Sequence, residues 1–155
     1  MENISMFISY AEAVKSNTAV RYARDNTPDA EQLENMKYVA SKVFDKLRAH
    51  FGKPIAVTSF FRSRSVNALV GGSLTSQHCK GEAIDIDGDI LGGVSNADIF
   101  NYIKNNLVFD QLIWEFGNDK NPDWVHVSLK RIGNNRKQIL RSVKKETKTE
   151  YKVWN

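Results

Sequence analysis

His78, Asp85 and His126 are the residues of this chain whose types and spacing best suit chemistry, because together they make a metal ligand set. Asp85 lies in the run AIDID and His126 in WVHVS, and in both runs aliphatic and polar residues alternate with the period of a strand. Paired in one sheet, the two strands would bury Ile84, Ile86, Val125 and Val127 on one face and set Asp85 beside His126 on the other. His78 stands seven residues before Asp85, across a turn that Gly81 eases. One carboxylate and two imidazoles leave a fourth position open, as in a catalytic rather than a structural zinc site. Zn²⁺ so ligated keeps a net positive charge, enough to polarise a carbonyl and bring the pKa of a water towards ~7. Cys79 is the only cysteine, which excludes a four-cysteine site and any internal disulfide.

A small sheet backed by helices must position these groups. Leu33, Met36, Val39, Val43 and Leu47 recur at spacings of three and four, which predicts an amphipathic helix. It starts at Thr27-Pro28-Asp29, runs to about His50, and is stopped by Gly52 and Pro54. Residues 9–16 read as a short helical lead-in, 54–61 as a strand, and 62–70 as a short helix broken by Gly71-Gly72. Asn96–Asn106 reads as a helix with Ile99, Phe100 and Ile103 inward, and 111–116 and 124–129 as strands. The fold expected is α+β, a small and mainly antiparallel sheet with helices on one side and the zinc site on the open face. Residues 1–143 are expected to form a single domain, and 144–155 a basic C-terminal tail, partly frayed.

At the ligands the sequence resembles a known family. Ser76-Gln77-His78-Cys79-Lys80-Gly81-Glu82-Ala83-Ile84-Asp85 is similar to the S-x-H-x-x-G-x-A-x-D motif of the zinc D-alanyl-D-alanine peptidases. That family holds D,D-carboxypeptidases, D-Ala-D-Ala dipeptidases and phage L-alanyl-D-glutamate endopeptidases. Asp123-Trp124-Val125-His126 resembles its acid-x-x-His motif, which implies Asp123 as catalytic base and His126 as third ligand. Residues 58–63, TSFFRS, with Asn67 and Gly71-Gly72, resemble its S-G-Y-R-S segment, whose arginine, here Arg62, helps bind substrate and the oxyanion. The resemblance runs from about Ser5 to Ser128. Its one departure is Phe60-Phe61 in place of Gly-Tyr, which loses a hydroxyl and the conformational freedom of glycine.

Each residue also has a plainer reading. Asp123 after Pro122 suits a turn, and Arg62 a surface ion pair. Trp124 walls a cleft or merely packs, and Ser76 is a candidate substrate contact with it. Asp87 shares the face of Asp85 but is expected in a supporting or surface role. Cys79 reads as a small buried hydrophobe, His50 as a helix C-terminal imidazole, and Glu115 as an exposed strand residue.

The resemblance implies hydrolysis of amide bonds in peptidoglycan peptides by a one-zinc enzyme, a carboxypeptidase or an endopeptidase. Apolar residues at 41% and charged residues at 26% suit a soluble globular domain. No run reaches the ~18–20 apolar residues of a membrane span, and the N-terminus lacks the pattern of a secretory signal. Synthesis in the cytoplasm follows as the expectation, with access to the wall through a pore made by another protein, as for a phage lysin. From Lys130 onward nine Lys/Arg face two Glu, leaving +7 there and −3 in the remainder. That segment would favour an anionic wall polymer. A monomer is expected. Nucleic acid is not, since no recognisable motif accompanies the charge. The rival class is a non-catalytic zinc-bearing binding module of the hedgehog type, and ligation alone would require neither Asp123 nor Arg62.

Overall fold

Serine side chains start the first two helices, Ser9 at α1 (Tyr10–Ala13) and Ser16 at α2 (Asn17–Arg21). The computed structural model describes residues 2–154. Asp29 opens the long helix by a reciprocal cap with Gln32, each side chain bonding the other's backbone amide. The backbone then coils without a break from Ala30 to Phe51 as α3 (Ala30–Val39), a wider π turn (Ala40–Phe44) and α4 (Asp45–Phe51). Met36, Val39, Val43, Phe44 and Leu47 are all fully buried, so the expected stripe faces the core through the change of winding. Gly52 ends it in the left-handed conformation.

Six strands follow, interrupted by α5 (Arg64–Leu69) and α6 (Asn96–Asn106): β1 (Ala56–Ser59), β2 (Ala83–Asp87), β3 (Gln111–Glu115), β4 (Trp124–Ser128), β5 (Gln138–Lys145) and β6 (Lys148–Val153). They form one sheet in the order β1-β2-β4-β3-β5-β6. Only the β3–β5 pair is parallel. This is the expected α+β class. Ile84, Ile86, Leu112, Trp114, Val125 and Val127 turn one face into a core shared with Phe44, Ile99, Phe100 and Ile103. The other face carries Asp85, His126, Ile113 and Glu115. No helix among the described residues is long and apolar enough to cross a membrane.

The C-terminal segment departs from expectation. The boundary drawn at residue 143 falls inside β5, and residues 148–153 pair back on it in register from Lys145↔Lys148 to Leu140↔Val153. Trp154 then packs on Phe100 and Trp114, at ring centroid distances of 5.6 and 4.9 Å. What read as a frayed basic tail is therefore an edge hairpin. Its lysines lie on the exposed end and edge, where charge discourages further strand pairing.

Candidate metal centre

Register brings two of the candidate ligands together. β2 and β4 are antiparallel neighbours with Asp85 directly opposite His126, and His126 Nδ1 lies 2.9 Å from Asp85 Oδ1. His78 comes from outside the sheet, on a single 3₁₀ turn (Gln77–Lys80). Two side chains of α3 grip that turn: Gln32 bonds the Cys79 carbonyl and Asn35 the Lys80 carbonyl. Gly81 closes it at φ 71°, with the Gln32 carbonyl oxygen only 2.4 Å from where a Cβ would stand. Cys79 is buried beside it, as expected of a small hydrophobe.

The three donor atoms lie within 4.8 Å of one another. His78 Nδ1 is 2.7 Å from the Phe60 carbonyl oxygen, which can only accept, so the proton sits on Nδ1. That leaves Nε2 as a lone pair, buried and without a hydrogen-bond donor, 3.3 Å from Asp85 Oδ2. A lone pair facing a carboxylate oxygen at that distance is repulsive unless a cation lies between them. The donor set therefore fits a divalent metal, and the Phe60 carbonyl fixes the ring in its ligating tautomer. Burial pushes the Asp85 carboxyl up, but positive charge beside it, from the imidazoles when they are protonated and no cation is bound, outweighs burial and holds the group well below the usual carboxylate range.

The family model of Peptidase M15 matches residues 7–128, well over half of the chain. The chain belongs to the M15 peptidases. That is the family to which the three motifs pointed, and its peptidases are zinc-dependent. No curated protein matches the chain.

The M15 triad opens into a cleft of about 960 Å³. Arg62, Ser76 and Trp124 line it, so all three reach the space beside the ligands. Arg62 lines the cleft with its Nε buried and unpartnered inside the protein. The Phe60-Phe61 departure has a structural outcome: both rings are buried in the core, and the Phe60 carbonyl orients His78. Phe60 is not among the residues of positive φ, so the missing glycine costs no strain here. Asp87 bonds Asn96 and the Asp89 amide, a supporting role at the start of α6. His50 stacks on Tyr102 with centroids 4.0 Å apart, away from the triad.

Asp123 and Glu115 exchange the places expected of them. In β4 the residues that share the face of His126 are Trp124 and Ser128, so Asp123, one residue before Trp124, falls in the opposite phase. Its side chain is exposed and absent from the cleft wall, and its backbone is held by Glu115 and Asn96. Glu115 is 6% exposed and lines the cleft. Burial pushes its carboxyl up against the Ser142 hydrogen bond and the pull of His126, and the Asp85 carboxylate pushes it further up. β5 covers it with Ser142 opposite Glu115, a partner that the local pattern of QLIWE does not reveal.

Proposed function

We propose that this M15 peptidase is zinc-dependent and hydrolyses amide bonds in peptidoglycan peptides, as a D,D-carboxypeptidase or an endopeptidase. The observation that carries the reading is His78, whose proton is committed to the Phe60 carbonyl while its free lone pair faces Asp85. His78, Asp85 and His126 would hold the ion. Zinc there supplies polarisation of the scissile carbonyl and a more acidic water. The chain supplies the rest. The Arg62 guanidinium in the cleft wall suits a substrate carboxylate or the developing oxyanion. Ser76 and Trp124 in the cleft wall are suited to contact the peptide. A cleft of about 960 Å³ has room for an extended peptide. The exposed lysines of the β5–β6 hairpin support contact with an anionic wall polymer.

The test is mass spectrometry of defined muropeptides after incubation with zinc-loaded protein. Loss of a terminal D-alanine would assign the carboxypeptidase, and cleavage within the stem or cross-link the endopeptidase. A protein carrying one zinc that leaves every muropeptide bond intact would overturn the reading.

A further inference from the structure

We infer that Glu115, rather than Asp123, is the carboxylate that moves the proton during amide hydrolysis; the inference rests on the peptidase reading above. Glu115 is the last residue of β3, and β3 pairs with β4 so that Ile113 stands opposite His126 and Glu115 opposite Trp124. Glu115 and His126 are thus diagonal neighbours on one face of the sheet. Such neighbours lie about 7–8 Å apart, within reach of long side chains. Both line the cleft, so their tips can meet at one water in it. Asp123 has its side chain exposed and lies outside the cleft wall, in an adjoining pocket that shares only Phe116 and Trp124 with it.

Glu115 is also oriented for the work. The fully buried Ser142 hydroxyl donates to Glu115 Oε2, and the Phe116 amide donates to the same Ser142 oxygen at 3.1 Å. The hydroxyl proton is therefore committed to Oε2, and among the described residues no protein group bonds Oε1. That leaves Oε1 to receive a proton. As the water oxygen bonds to the scissile carbonyl carbon, one of its protons passes to Glu115 Oε1. When the carbon–nitrogen bond breaks, the same proton goes to the leaving nitrogen. The products are a carboxyl group and an amine, and Glu115 ends as it began. Ser142 is a positioning residue in this scheme. It lies outside the family match, so the C-terminal hairpin helps hold the catalytic carboxylate of the family domain.

The experiment compares zinc-loaded wild type, Glu115→Gln and Asp123→Asn on the peptide bond that the wild type cuts. Zinc content and calorimetric affinity for the product peptide are measured alongside turnover. Glu115→Gln keeps the shape and the Ser142 partner but cannot carry the proton, so kcat should fall by about 10²–10⁴-fold. Zinc content and peptide affinity should be unchanged. Asp123→Asn should retain kcat within about 3-fold, against the 10²–10⁴-fold contribution of a true base. If Glu115→Gln loses zinc or folds poorly, Glu115→Asp decides, because it keeps the charge and withdraws the carboxylate by one methylene. Its kcat should fall at least about 10-fold, since proton transfer depends on reach. An active wild type with full turnover in Glu115→Gln or Glu115→Asp, or with the large loss in Asp123→Asn instead, overturns this assignment alone. A zinc-loaded wild type that cuts nothing overturns the peptidase reading and this assignment with it.

Discussion

His78 is the best-specified residue of the site, because a backbone carbonyl settles which nitrogen is free. Asp85 and His126 owe their meeting to strand register instead. Purified protein should carry about one zinc per chain, as a one-site centre requires. His126→Ala should lose the ion, and full occupancy in a His78→Ala/His126→Ala double variant would remove the centre from consideration. Arg62→Lys tests the other side of the reaction. It keeps the charge but loses the planar fork, and a hydrogen bond to a charged group contributes about 1.5–3 kcal/mol. The kcat/KM on a muropeptide should therefore fall about 10–100-fold at unchanged zinc content, and wild-type kinetics would return Arg62 to a surface role. The triad was legible because two short runs alternate cleanly and Gly81 marks the turn between His78 and Asp85. The placement of Asp123 and Glu115 was not. A motif such as acid-x-x-His gives spacing, whereas the face on which Asp123 emerges depends on where the strand begins. Glu115 needed knowledge of β5, a partner distant in sequence.

At the scale of elements, the strands and the helices around the ligands follow from periodicity. Ala83–Asp87 and Asn96–Asn106 coincide with expectation, and the long helix ends within one residue of it. The π turn left no sequence signal, since the core stripe continues through it. The hairpin did leave one. Thr149, Tyr151 and Val153 alternate with Lys148, Glu150 and Lys152, but the density of charge masked the period. Gly81→Ala must place a Cβ 2.4 Å from the Gln32 carbonyl oxygen at φ 71°. A side chain in that conformation alone costs about 1–2 kcal/mol, so thermal unfolding should shift down by several degrees and zinc affinity should weaken as the turn moves. An unaltered melting temperature would mean that α3 does not hold the turn. Separately, Lys144, Lys145 and Lys148 are exposed at the hairpin's end. Changing all three to Gln should weaken binding to purified anionic walls at low salt. The difference should vanish as salt rises, because exposed charges are screened over about 8–10 Å at physiological ionic strength. Equal binding at low salt would leave the lysines only their edge-protecting role.

For the molecule as a whole, the cleft depends on bringing a C-terminal strand beside β3 in the parallel sense, which a tight turn cannot do. Residues 129–137 make that connection, and Asp110 is its fastening. The Asp110 amide bonds the Ser128 carbonyl, and its own carbonyl receives the Gln138 amide. Its carboxylate, fully buried, takes the backbone and guanidinium of Arg136, the closest contact being 2.7 Å, with Lys130 at 3.6 Å. Burial pushes the Asp110 carboxyl up, but the Arg136 hydrogen bonds and charge, with Lys130, bring it down to about 2. A carboxyl depressed on folding stabilises the native state fully above its unfolded pKa, near 3.9, and loses that contribution as pH falls towards 2. Lowering the carboxyl from near 3.9 to about 2 corresponds to about 2.6 kcal/mol, and to about 1–2 kcal/mol once the half-exposed Arg136 is allowed its screening by solvent. Asp110→Asn should therefore unfold at lower urea than wild type at pH 7, and the gap in stability should close between pH 4 and pH 2. Taking the difference between the two proteins cancels every other group that titrates in that range. A gap that stays constant to pH 2 would show that the carboxylate's charge does not hold the crossover. The backbone bonds would then suffice, and β5 would reach its place over Glu115 without the ion pair.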